Sequence, residues 1–162
     1  MGAEVKFDKK EWDKILKRLA KKWGDILVGT SKVRREFSGI TSVIVYRDII
    51  DHFKKESGPD GKWKKWSDSY EDHLKKIGRS SNKILQFSGR LRQSVAPQNL
   101  RNTNEGVLFF NNAKTKKGFS YAEAHDDGMD NRPPQRKFMW ISDKSMNEIV
   151  KQTTSWLAEG NN

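Results

Sequence analysis

The strongest constraint in this sequence is a four-residue break formed by Gly58, Pro59, Asp60 and Gly61. Proline lacks the N–H that a helix interior needs and Asp-Gly favours a turn, so a helix must end before this point. The preceding residues combine β-branched composition with apolar side chains at helical spacing. We predict one helix over 39–56, because the following residues recur at intervals of three or four: Ile40, Val43, Ile44, Arg47, Ile50 and Phe53.

A short helix is predicted after the break. Ser67 is a suitable N-cap, and Gly78 follows the last residue of the pattern. We expect three side chains of this helix to face inward: Tyr70, Leu74 and Ile77.

An antiparallel hairpin and two further helical segments are predicted beyond it. A strand near 93–100, a turn over 102–106 and a return strand over 107–111 form the hairpin. Residues 121–125 are expected to form one helical turn. Ser142 is predicted to cap a final helix with this buried stripe: Met146, Ile149, Val150, Thr153, Trp156 and Leu157.

The first part of the chain predicts a basic amphipathic helix over 8–23, followed at 26–37 by either a short helix or a connector. These elements together predict an α+β fold, with several helices packed on a small antiparallel sheet or hairpin. We expect one domain over 1–162, composed of the basic helix within 1–30 and a core over 39–158.

Composition limits the core and excludes several classes of protein. The hydrophobic fraction is 34% and the charged fraction 33%, so six Trp, eight Phe and three Tyr must supply much of the buried area. The absence of cysteine excludes disulfides and thiolate metal sites. We find neither a long apolar run nor a signal-peptide pattern, and therefore expect no membrane partner and a protein made in a cytoplasm.

The net charge of +11 is unevenly distributed. Residues 1–58 carry 14 Lys and Arg against 9 Asp and Glu, and residues 59–118 carry 13 against 5. Residues 119–162 carry 5 against 7. A basic middle and a slightly acidic end are suited to head-to-tail self-association or to an anionic partner.

One cluster of metal-capable residues occurs in the sequence, at His125, Asp126, Asp127 and Asp130. Such ligands could hold a divalent cation for phosphodiester hydrolysis. A polar turn is the favoured interpretation, because short acidic turns are common and no second ligand cluster is evident. We therefore expect no catalytic, metal or cofactor site.

Basic clusters offer a second hypothesis, in which a nucleic-acid-binding module uses residues 62–66 and 114–117. Rings between lysines could stack on bases while the lysines pair with phosphates. The alternative, which we favour, is that Trp63 and Trp66 pack inward while the lysines are solvated. Gly61, Gly89 and Gly128 are expected to form backbone corners with positive φ.

Four segments, taken together, resemble the phage virion morphogenesis family of tail-completion and head–tail neck proteins. The segments are 59–67, 84–95, 121–128 and 136–142. The residues that carry the resemblance are Phe53, Pro59, Asp60, Gly61, Trp63, Ser67, Ile84, Leu85, Ser88, Gly89, Arg90, Leu91, Tyr121, Ala122, His125, Gly128, Arg136, Phe138 and Ser142. Lys137 departs from the family pattern, which usually has Pro at that position, and Trp140 replaces a small residue.

The resemblance implies a structural virion protein and not an enzyme. Such proteins form a ring at the neck or tail end, here expected to be a hexamer or dodecamer, and complete the tail for head–tail joining. The implied partners are other copies of the chain, neighbouring neck or tail proteins, and duplex DNA held non-specifically in a lumen. Candidate interface residues are Trp63, Trp66, Arg90, Arg92, Lys114, Lys116, Lys117, Arg136 and Phe138.

Overall fold

A computed structural model describes residues 3–6, 17, 31–79, 83–96, 99–103, 106–111, 113–129 and 133–158. Its helices are α1 (Ser31–Lys55), α2 (Asp68–Lys76), α3 (Arg90–Gln93), α4 (Tyr121–Asp126) and α5 (Asp143–Ala158). Its strands are β1 (Ala3–Lys6), β2 (Ser57–Gly58), β3 (Gly61–Lys62), β4 (Leu100–Thr103) and β5 (Gly106–Asn111). The predicted α+β class is confirmed. The predicted helix over 8–23 lies outside the described residues, except Lys17, which is helical and exposed.

Two antiparallel sheets are present in the described part of the chain. One has the strand order β1-β5-β4, and the other is the small β2–β3 hairpin that pairs Gly58 with Gly61. The break at 58–61 is therefore a tight turn between two-residue strands. The sequence does not predict strand β1, because four residues carry too little pattern to identify a strand.

The predicted hairpin exists as β4–β5, but its first strand begins later than predicted. Residues predicted as strand include Gln93, the last residue of helical turn α3, and β4 begins only at Leu100. Buried Asn111 explains the difference, because its side-chain amide donates to the Leu91 carbonyl (3.3 Å) and its oxygen accepts from the Ser94 hydroxyl (3.0 Å). These long-range bonds hold the turn in place of a strand.

Helix α1 packs against α5, and it begins eight residues before the predicted start. Of the residues at helical spacing, Ile44 and Phe53 are buried but Val43 is 58% exposed. Val45 and Ile49, outside that set, are also fully buried. The buried stripe of this helix also contains two polar residues, Thr41 and His52, which a pattern of apolar spacing does not identify.

The short helix α2 buries only one of its three predicted inward side chains. Leu74 is buried, but Tyr70 and Ile77 are 41% and 45% exposed, so their predicted burial is wrong.

Helix α5 begins where it was predicted to begin, since the Ser142 hydroxyl accepts from the Ser145 N–H at 3.3 Å.

Within α5, Ile149 and Thr153 are buried and Met146, Val150 and Trp156 are half-buried, which agrees with the predicted stripe. The side chain of Leu157 lies outside the described part. Among the helices that the structure describes, none has the length and hydropathy needed to cross a bilayer.

Candidate binding cleft

The four segments of the sequence pattern meet around one open cleft of about 920 Å³. Each segment contributes to its lining, for example through Lys65, Leu85, His125 and Arg136. Helix α2 lines another part of the same cleft. The sequence pattern therefore corresponds to residues that are distant along the chain and adjacent in space.

Aromatic packing joins the first and last segments beneath the cleft. The Phe53 ring lies 5.2 Å from that of Phe138 and 5.6 Å from that of Trp63, measured between centroids. The Trp63 indole N–H donates to the Lys137 carbonyl at 2.9 Å. Trp63 and Phe138 are thus core residues, and their prediction as interface residues is wrong because they are 6% and 0% exposed.

Asp126 connects the third and fourth segments. Its carboxylate Oδ1 accepts from the N–H groups of Phe138 and Met139, both at 2.8 Å. Burial raises the pKa of this carboxyl group, and the two backbone N–H groups oppose that rise. The carboxylate thus has a structural use that the hypothesis of a metal site did not foresee.

No group of three His, Asp or Glu side chains suited to a metal ion occurs in the part of the chain that the structure describes. Asp130 of the predicted cluster lies outside that part. Gly128 has φ +78°, and a Cβ at this position would lie 3.1 Å from the Gln135 Cβ, so the turn requires glycine.

Arg136 is a buried cation in the wall of the cleft, only 4% exposed. Its Nε donates to the Lys64 carbonyl at 2.8 Å and its Nη2 to the Lys65 carbonyl at 3.2 Å. Within the described ranges, no carboxylate forms an ion pair with it. Desolvation lowers the pKa of the guanidinium, which the nearby Tyr70 partly offsets. Arg136 was predicted at an interface, and in the fold it lies in the wall of the cleft and not on the outer surface.

His125 lies beside this cation. The Arg136 backbone N–H donates to the His125 carbonyl at 2.7 Å, and the buried Nδ1 of the imidazole has no hydrogen-bond partner among the described residues. Burial and the charge of Arg136 together lower the pKa of His125 to about 4. The imidazole is therefore neutral at pH 7 and cannot balance an anion by charge.

Aromatic and hydroxyl groups complete the lining. Trp66 is half-buried, and its ring meets that of Tyr70 edge-on at 5.8 Å. Phe87 and Tyr121 contribute two more rings, and Ser88 contributes a hydroxyl group. Of these, only Trp66 is among the candidate interface residues predicted from the sequence. Tyr70 was not a candidate because its side chain was predicted to face inward.

The wall at 84–86 is attached to the end of α1. The Glu56 carboxylate accepts from the Ile84 N–H at 2.5 Å, and the Gln86 side chain donates to the Phe53 carbonyl at 2.8 Å. Between these anchors Leu85 has φ +61°, an uncommon conformation for a bulky residue. The surrounding bonds hold this strained backbone at the edge of the cleft.

The other predicted interface residues lie on the surface and do not line this cleft. They are all exposed: Arg90, Arg92, Lys114, Lys116 and Lys117. The predicted corners are confirmed, since Gly61 and Gly89 have φ of +121° and +73°.

Comparison of the chain with protein-family models, curated proteins and solved structures finds no match.

Proposed function

We propose that this chain is a structural virion protein of a tailed bacteriophage. It forms a homo-oligomeric ring at the head–tail neck or tail end and completes the tail for head–tail joining. The observation that carries the proposal is the convergence of the four resembling segments on one core. Their polar groups, among them Asp126 and Arg136, are bonded to backbone atoms, as a scaffold requires.

The charge distribution supports self-assembly with a head-to-tail geometry. Exposed Arg90 and Arg92 belong to the basic middle of the sequence, whereas residues 119–162 are slightly acidic. Contact between a basic surface and an acidic surface of the next copy gives a heterologous interface, which closes into a ring when the rotation permits. Exposed lysines in a lumen would balance the phosphates of passing duplex DNA without reading bases.

The alternative of a single-strand-binding module has weaker support. Of the two Trp between the lysines, Trp63 is buried and bonded to the Lys137 carbonyl. Of these two indole rings, Trp66 is the one left to stack on a base, and the 114–117 loop does not line the same cleft.

Native mass spectrometry and light scattering of the purified chain, with and without assembled tail tubes, test the proposal. We expect a closed ring of six or twelve copies, either alone or on the tubes. In the infected host this ring would assemble in the cytoplasm and remain in the finished virion. The double variant Arg90→Glu/Arg92→Glu should weaken the ring, whereas Lys144→Glu/Lys151→Glu, the same change in charge within the acidic end, should not weaken it. A chain that stays monomeric at high concentration and on tail tubes contradicts the proposal.

A further inference from the structure

We propose that the cleft between α2, α4 and the 84–91 segment binds a peptide segment of a partner protein, in which one carboxylate adjoins apolar side chains. The inference rests on the described residues alone and holds whether or not the chain assembles into a virion.

The uncompensated charge of Arg136 is the first argument. A buried charge is normally paired, because the loss of hydration is costly unless a partner offsets it. Arg136 is 4% exposed and has only backbone carbonyls as hydrogen-bond acceptors in the described structure. Its Nε–H and one Nη2–H are bonded. The second Nη2–H and both N–H groups of Nη1 remain for the oxygens of an anionic group.

The composition of the lining is the second argument. Lys64 and Lys65 accompany Arg136, and no Asp or Glu is present among the described residues that line the cleft. The chain has 21 acidic residues, so a lining without any of them favours an anionic ligand by charge complementarity.

The arrangement of the cations decides which anionic ligand fits. The three positive residues are neighbours, because Arg136 is bonded to the backbone of both lysines. Nucleic acid carries a regular series of phosphates and requires cations along its path. One group of cations beside an apolar, aromatic surface suits one carboxylate attached to apolar side chains. The carboxylate can come from a C-terminus or from an Asp or Glu side chain, and the two sources share this chemistry.

A selection experiment with a random octapeptide library tests the inference on the full chain. We expect enrichment of peptides in which a carboxylate adjoins aromatic or aliphatic residues. The selected peptides are then measured by fluorescence anisotropy as acids and as amides. Replacing the carboxylate by an amide should weaken binding about tenfold, the loss expected for one charge-assisted hydrogen bond. Amidation of the C-terminus and of the Asp or Glu side chain, made separately, distinguishes the two sources.

Matched variants locate the binding. Lys64→Ala/Lys65→Ala should weaken binding about tenfold, while Lys116→Ala/Lys117→Ala, equal in charge but outside the cleft, should change it less than about twofold. Phe87→Ala should also weaken binding, and Phe119→Ala is its control because the two rings are 43% and 48% exposed.

The proposal is overturned by several outcomes. The first is a selection in which the original chain enriches no more peptides than the Lys64→Ala/Lys65→Ala variant. The second is binding that does not change on amidation, and the third is an equal loss of affinity in both lysine variants. The fourth is displacement of the peptide by a single-stranded oligonucleotide at comparable concentration. The last outcome would assign the cleft to nucleic acid.

Discussion

His125 is held neutral in the folded chain by burial and by the charge of Arg136, which together lower its pKa to about 4. In the unfolded chain the imidazole has its ordinary pKa of about 6.5 and binds a proton first as the pH falls. The free energy of unfolding should therefore decrease as the pH falls from about 6.5 towards 4. His125→Gln should remove about 1–2 kcal/mol of this loss at pH 5, after allowance for partial solvent screening.

Urea unfolding at pH 7.5 and pH 5.0 measures this difference. His52, whose pKa is also lowered by burial, contributes equally to both proteins and cancels in the comparison. His73→Gln, on an exposed residue, is the control. Equal pH dependence in the original chain and His125→Gln would contradict the explanation.

Asp126 provides a second prediction for a single residue. Its Oδ1 accepts both backbone N–H groups that fix Phe138 and Met139. Asp126→Ala should lower the free energy of unfolding by about 2–4 kcal/mol, because two buried donors lose their acceptor. Asp126→Asn retains an oxygen acceptor at this position, so its free energy of unfolding should fall clearly less. If urea unfolding gave similar decreases in the free energy of unfolding for both variants, the charge of the carboxylate would matter and its role as a hydrogen-bond acceptor would not.

Two glycines, one at the start of α3 and one inside α1, allow a prediction about the stability of helices. Gly89 has φ +73° at the start of α3, so Gly89→Ala should destabilise the fold by about 1 kcal/mol. Gly39 lies within α1, and no described heavy atom outside its own stretch of the helix lies within 4 Å of the point that a Cβ would occupy there. Gly39→Ala should therefore stabilise the helix by about 0.5–1 kcal/mol. Thermal unfolding compares the two variants, and a shift of the same sign in both would contradict this assignment.

Elements with local signals could be predicted, and those fixed by distant partners could not. The start of α5 follows from Ser142, but the Asp48 carboxylate on α1 also accepts from the Ser142 N–H at 2.7 Å, which only the tertiary structure reveals. The buried face of α1 could be predicted only in part, because it includes the polar residues Thr41 and His52. His52 is accommodated by stacking on Trp140 at 4.3 Å and by a 2.9 Å bond to the Phe138 carbonyl.

At the scale of the whole molecule, the sequence identified the segments that form the cleft but not the cleft itself. The order of the four segments was visible, whereas their convergence depends on bonds between residues far apart in the chain, such as that from Arg136 to the Lys64 carbonyl. The burial of Trp63, Arg136 and Phe138 follows from the same convergence. A pattern along one chain contains no direct information about such pairings, so candidate interface residues and core residues looked alike.

The net charge of +11 leads to a last prediction, that the chain binds duplex DNA without sequence preference and with a steep dependence on salt. Lys116→Ala/Lys117→Ala removes two exposed cations from the basic middle, and should reduce the slope of log K against log[salt] by about 2. The control, Lys144→Ala/Lys151→Ala, makes the same change in charge within the acidic end and should leave the slope nearly unchanged. Fluorescence anisotropy on two unrelated duplexes, from low to physiological salt, measures both quantities. Equal slopes for the two variants would mean that net charge alone attracts the DNA, whereas a loss confined to Lys116→Ala/Lys117→Ala would assign the contact to the 114–117 loop.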